Sequence, residues 1–430
     1  MDLEISDRPA GNKRTFNRVA RPQQICIFYQ EGRCNRDPCN FLHAGEPGTS
    51  KKTGANGGFA PKRSFHLQED AQGPGPSGGQ RRNGSAKWGR GGLGGRIMTD
   101  ERQQKVRDVV CNYWISGSCK HGEDCKFLHS FVVGGDVTFL TLLAGHEKQA
   151  IRGIVLPSNS DKLYSGGQDG TVRVWDCQTG QCSSVIKLGV EVGCLLSEGP
   201  WLFVGIPNSV KAWNILTSTE LCLNCPGGQV NALVVGNDML LAGVHDGNIL
   251  AWKFSPISNS FEPAASLAGH TKPVVTLVSG AERLYSGSMD ETIRVWDLGT
   301  FQCIQTLRGH TSVVMSLLLW EQFLLSSSLD NTVKVWVAMS SGLLEVTYTH
   351  NEEHGILALC GMHDEQAKPV LLCSCNDNSV RLYDLPSFSE RGKIISKMEV
   401  RAFQVGPGGL FFTGDGMGEL KVWKWATQAS

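Results

Sequence analysis

Ser286-Gly-Ser-Met-Asp290-Glu-Thr-Ile-Arg-Val-Trp296-Asp297 is a polar turn running into a short strand. β-Branched and aromatic residues suit a pleated, half-buried surface, and Asp and Gly suit the turn before it. The ending returns as Val-Arg-Val-Trp175, Val-Lys-Ala-Trp213, Ile-Leu-Ala-Trp252, Val-Lys-Val-Trp336, Val-Arg-Leu-Tyr383 and Leu-Lys-Val-Trp423. Successive copies lie 38, 39, 44, 40, 47 and 40 residues apart. A strand-rich period of this length means stacked or ring-forming sheet units, each burying its faces against its neighbours.

The strong copies share more than their ending. Each opens on a Gly-His pair, at Gly145-His146, Gly269-His270 and Gly309-His310. Each then has a Ser, an Asp four residues on, and the Trp six beyond that: Ser165/Asp169/Trp175, Ser286/Asp290/Trp296 and Ser326/Asp330/Trp336. One His–Asp–Ser set would suggest hydrolytic catalysis. Three copies at one spacing point to a structural network, because buried polar groups must find partners.

These repeats resemble WD40 repeats, and the resemblance implies an all-β fold, a seven-bladed β-propeller over residues 131–430. In that family the matching His, Ser, Asp and Trp form a buried hydrogen-bond chain. The last repeat stops seven residues after Trp423 and lacks an outer strand. The segment 137–143 is expected to supply it and close the ring, which removes open sheet edges. Repeat two lacks the turn Asp at Gly205-Ile-Pro-Asn208, and repeat six carries Tyr383 for Trp, so these are expected to be softer blades.

Upstream lies a different chemistry. Cys111, Cys119, Cys125 and His129 stand seven or eight, five or six, and three or four residues apart by either way of counting, and an earlier set stands at Cys26, Cys34, Cys39 and His43. A segment of about 20 residues cannot fold on a core alone, and a structural metal substitutes for one. Both sets end Cys-x-Phe-Leu-His, with Gly32 and Gly117 two residues before the second Cys and an aromatic two after the first. Three thiolates and one imidazole suit tetrahedral Zn²⁺ and leave no open position for catalysis. Two structural zinc ions are expected, one per cluster.

The clusters resemble CCCH zinc fingers, here at 26–43 and 105–130, which are mostly RNA readers. The resemblance implies base-stacking aromatics at Phe28, Phe41, Tyr113 and Phe127, and phosphate-holding cations at Arg33, Arg36, Lys120 and Lys126. For Phe41 and Phe127, stacking on bases and packing beside zinc are equally open. Sixty-seven residues separate His43 from Cys111, so the fingers are expected to act as loosely coupled modules. Residues 1–25 read as a disordered basic lead-in. Residues 44–104, rich in Gly, Arg and Ser, read as a disordered linker.

Charge follows the same division. Residues 1–130 hold 21 Lys/Arg against 13 Asp/Glu, and residues 131–430 hold 20 against 28. A basic head on an acidic body fits a head that meets a polyanion. No apolar run is long enough for a membrane span, and the charged N-terminus lacks the apolar core of a secretory signal. Nine of the 15 cysteines lie outside the two clusters and read as reduced thiols.

CCCH fingers followed by seven WD40 repeats resemble the plant zinc-finger/WD40 subfamily. The resemblance implies a nucleic-acid-binding adaptor in which fingers hold single-stranded RNA and the propeller recruits protein partners. A nuclear location, shared or not with the cytoplasm, goes with it. A DNA-binding transcription regulator is the closest alternative. A substrate receptor of a cullin-type ubiquitin ligase is another, but Trp175-Asp-Cys-Gln and Trp296-Asp-Leu-Gly lack the Arg that such receptors often carry after Trp-Asp. No phosphate-binding loop, nucleophile elbow or small-molecule site is legible, so an enzyme is not expected.

Overall fold

A computed structural model describes residues 109–425 except 135, 147, 148 and 159. The first cluster, with Cys26, Phe28, Arg33, Cys34, Arg36, Cys39, Phe41 and His43, lies outside the described residues, as do the lead-in and the linker.

The described chain begins with one helical turn, α1 (Asn112–Ile115), and a 3₁₀ turn (Gly122–Asp124). Strands follow, the first being β1 (Val132–Gly134) and β2 (Val137–Ala144). All sheet ladders are antiparallel. In Thr171–Asp176, Val172 and Trp175 are buried on either side of a register shift at Val174/Trp175, whereas Met239–Val244 is buried along its whole length.

Adjacent sheets meet at one recurring contact. A Cβ placed on Gly166 would lie 2.7 Å from Val192, and one on Gly287 would lie 2.7 Å from Val314. The same relation joins Gly205 to Val230 and Gly243 to Val274. It also joins Gly414, near the end of the chain, to Ile151 near its start, at 2.6 Å. Each contact pairs a second strand with a branched side chain on the first strand of the next unit. Because the last unit meets the first, the units form a ring, and the fold is a β-propeller.

The strands make six hydrogen-bonded sheets, where seven separate ones were expected. The difference lies in the second and third repeats, which share one six-stranded sheet built on two long strands, Trp201–Asn214 and Glu220–Gly236. The first of these doubles back at Pro207-Asn208, since Ile215 N–H donates to Pro200 O at 2.9 Å and Asn208 has φ 59°. The second pairs through Glu220–Asn224 with Ser209–Trp213, then bends at Gly227 and Gly228 and pairs through Val230–Gly236 with Met239–Val244. The connection between the two units is thus extended backbone, and no loop interrupts it.

The outer strand of the last unit is β2, which pairs with Glu419–Trp425 from Val137↔Trp425 to Ala144↔Glu419. The stretch between His129 and β2 contains a strand of its own. β1 adds a fifth strand to the sheet of Ser389–Ile395, with Val132 opposite Ile394 and Gly134 opposite Gly392.

Candidate metal centre and nucleic-acid interface

The finger is closed by its own backbone. Cys111 N–H donates to Leu128 O at 2.9 Å, and Leu128 N–H donates to Val109 O at 2.9 Å. Cys111 caps α1, and Ser116 and Ser118 hydroxyls donate to Tyr113 O at 3.0 and 3.2 Å as the helix ends. Gly117 takes φ 73°, a left-handed turn that returns the chain toward Cys119 and that a side chain would strain. The 3₁₀ turn then delivers Cys125.

The four side chains converge. Cys119 Sγ lies 3.8 Å from Cys125 Sγ, and Cys125 Sγ lies 3.7 Å from Cys111 Sγ. With His129, all four potential ligand atoms fall within 4.8 Å of one another. Tetrahedral zinc with bonds of about 2.3 Å places its sulfurs ~3.8 Å apart. His129 Nε2 is buried and has no hydrogen-bond partner, as a nitrogen meant for a metal would be. The donor set therefore fits Zn²⁺. Burial pushes the Cys111 thiol up, but backbone hydrogen bonds from Trp114 and Tyr113 and the neighbouring thiols outweigh it and hold it below its ordinary value. Cys125 is helped down by the Phe127 backbone but is raised overall by burial and by the two other thiols. A bound cation deprotonates such a set outright.

Tyr113 is 71% exposed and Phe127 49% exposed, so neither serves as a core for the finger. Lys120 and Lys126 are exposed as well. Gly122, Glu123, Lys126, Phe127 and His129 line an open groove. The aromatic that does pack is Trp114, stacked on the His129 ring at 5.6 Å and 12°.

The propeller histidines are buried in three matching networks. His146 reaches Asp169 Oδ2 at 2.9 Å through Nδ1 and Ser165 Oγ at 2.8 Å through Nε2, and Trp175 Nε1–H donates to Ser165 at 2.8 Å. His270, Asp290, Ser286 and Trp296 repeat this at 2.9, 2.7 and 2.8 Å. His310, Asp330, Ser326 and Trp336 do so at 2.8 Å throughout. One donor order satisfies every group: Trp N–H to Ser, Ser O–H to His Nε2, and His Nδ1–H to Asp. That order requires a neutral imidazole. A threonine two residues after each Asp also donates to it, from Thr171, Thr292 and Thr332 at 2.8, 2.6 and 2.6 Å. These threonines stand outside the repeat pattern read above, although their Asp-x-Thr spacing is visible in the sequence. The sixth repeat is rewired: the buried Glu352 accepts from Tyr383 and pairs with Arg381 at 3.0 Å.

Burial lowers the His270 pKa from its ordinary 6.5, outweighing the Asp290 carboxylate that raises it; His146 behaves alike beside Asp169. Burial also raises Asp290, but hydrogen bonds from Thr292 and His270 prevail and hold it at about 2 against an ordinary 3.8. In both cases the unfolded chain binds more protons than the folded one. Stability from the histidines is full above pH 6.5 and is lost as pH falls through their depressed values. That from Asp290 is full above pH 3.8 and is lost toward 2. The melting temperature should therefore fall steadily on acidification from pH 7. In thermal scans, His270→Gln should flatten the portion just below pH 6.5. An unchanged slope would contradict a neutral buried His270.

A metal-binding CCCH finger seated on a propeller of WD40 repeats is the class of protein that this fold and site define. Family models agree: "Zinc finger C-x8-C-x5-C-x3-H type (and similar)" matches residues 108–131, and "WD domain, G-beta repeat" matches 137–176, 261–297 and 301–337. The chain belongs to the plant CCCH zinc-finger proteins that carry WD40 repeats. It is 56% identical to "Zinc finger CCCH domain-containing protein 17" of Oryza sativa subsp. japonica, over 100% of this chain and 99% of that one. It is 55% identical to "Zinc finger CCCH domain-containing protein 63" of Arabidopsis thaliana, with the same coverage. Among solved structures, the computationally designed Ika8 protein matches with a TM-score of 0.53 at 23% identity, over 66% of this chain and 99% of that one, a likeness of fold.

Proposed function

We propose that this protein is a nucleic-acid-binding scaffold. Its fingers hold single-stranded RNA, and its propeller recruits protein partners in RNA processing or gene regulation. The observation that carries this reading is the exposure of Tyr113, Phe127, Lys120 and Lys126 on a finger whose four candidate zinc ligands converge. Exposed rings offer stacking to unpaired bases, and the lysines offer charge to phosphates. The proposal extends to a second zinc ion at Cys26, Cys34, Cys39 and His43, and to a nuclear site of action. It also counts seven propeller repeats, supported by the double-back at Pro207-Asn208 and the glycine contacts that separate the second and third units.

Double replacement Tyr113→Ala and Phe127→Ala tests the reading. Stacking contributes about 1–3 kcal/mol per base, so loss of both rings should weaken single-stranded RNA binding at least about tenfold. Zinc content should not change. Duplex DNA competing as well as single-stranded RNA at the same salt would favour the transcription-regulator reading.

A further inference from the structure

Seven residues separate His129, the last ligand of the finger, from Val137 at the start of the strand that closes the ring, and they are not a spacer. Phe131 lies 4.8 Å from Trp114, whose ring stacks on His129. On its other side Phe131 meets Phe139 of β2 edge-on at 5.3 Å, and Phe139 meets Trp423 at 5.5 Å. Trp423 is fully buried in the last unit and donates through Nε1 to Thr413 at 2.9 Å. A continuous run of rings thus leads from a metal ligand to the core of the closing sheet. Lys421, buried and paired with Asp415 at 3.0 Å and Glu419 at 2.7 Å, places its ammonium 5.6 Å from the Phe131 ring centroid.

The backbone follows the same route. Ile395 N–H donates to Phe131 O at 2.8 Å, and β1 continues the ladder on Ser389–Ile395. Arg391 then holds Asp136, between β1 and β2, at 3.2 Å, while its guanidinium lies 5.2 Å over Trp425. The finger exit is fastened to the last two sheets of the ring at the point where chain start and chain end meet.

We propose that zinc ligation in the second finger and closure of the propeller ring are one cooperative event, transmitted through His129, Trp114, Phe131 and Phe139 to Trp423. A finger of this size has no other core. Without the metal, Trp114 loses the ring it stacks on, Phe131 loses its outer cover, and β1 and β2 become a weakly held edge. Trp114 and Phe131 are positioning residues in this scheme, and the proposal stands whatever the finger binds.

The test is hydrogen exchange on the full chain, with zinc and after chelation. Chelation should speed exchange at least about tenfold in β1, β2, Ser389–Ile395 and Glu419–Trp425, and leave Val314–Trp320 and Phe323–Ser328 unchanged. Cys34→Ser, in the first finger, should not reproduce the effect, which assigns it to the second site. Phe131→Ala, with Phe131→Leu as the milder variant, should open β2 at saturating zinc and, because the coupling is reciprocal, weaken zinc affinity as well. Unchanged exchange in β2 after chelation would overturn the proposal, as would equal acceleration across the whole ring.

Discussion

Cys125→Ser should abolish tight zinc binding at the second finger. Small structural zinc sites bind with about 10–16 kcal/mol at neutral pH, and that energy is also their folding energy. Cys125 Sγ is the centre of the thiol set, 3.7 and 3.8 Å from the other two sulfurs. A serine hydroxyl is a harder and weaker ligand that stays protonated, so affinity should fall at least about a thousandfold, or ~4 kcal/mol. Competition with a chromophoric chelator measures this directly. Affinity within tenfold of the parent would show that the four groups do not act as a closed ligand set.

The second large effect is expected in the ring. Trp296 is 2% exposed, and its indole N–H donates to Ser286, itself fully buried. Trp296→Ala removes the largest side chain from the core shared by the third and fourth units, where Leu241, Ile249 and Leu284 are its company. Large-to-small changes of this kind cost about 3–5 kcal/mol, and weakening a buried hydrogen-bond chain adds about 1. At about 2–4 °C per kcal/mol for a domain somewhat smaller than this, melting should drop by roughly 8–24 °C. Trp296→Phe separates the two contributions, since it keeps most of the ring and loses only the donor. Scanning calorimetry of the two variants should rank Ala well below Phe. Equal losses would assign the cost to the hydrogen bond.

Much of this was legible in residues because it is short-range. Three ligand intervals within one loop define a tetrahedral donor set before any fold exists. A His–Ser–Asp–Trp pattern repeated three times distinguishes a buried network from a catalytic triad. Apart from the local Asp-x-Thr pairs, what was not legible depends on contacts between distant segments. The strand character of Val132–Gly134 arises only because Ser389–Ile395 offers an open edge. The shared sheet of the second and third units arises because strand pairing carries on either side of the bend at Gly227-Gly228, which a glycine pair alone would mark as an ordinary turn. Tyr383 looked like decay of the pattern, but Glu352, 31 residues away, gives its hydroxyl a partner. Phe127 illustrates a different limit. The motif left stacking and packing open, and its exposure, which speaks against packing in a core, is not written in the motif.

The central claim is that the metal-fixed finger reads single-stranded RNA from a propeller scaffold. The most direct measurement is a fluorescence-anisotropy titration of single-stranded RNA with the full chain and with Cys119→Ser, at one stated salt concentration and with duplex DNA as competitor. Saturable RNA binding by the parent chain, poor competition by duplex DNA, and at least about tenfold weaker binding by the variant are expected. Equal affinity of parent and variant for RNA would contradict the claim.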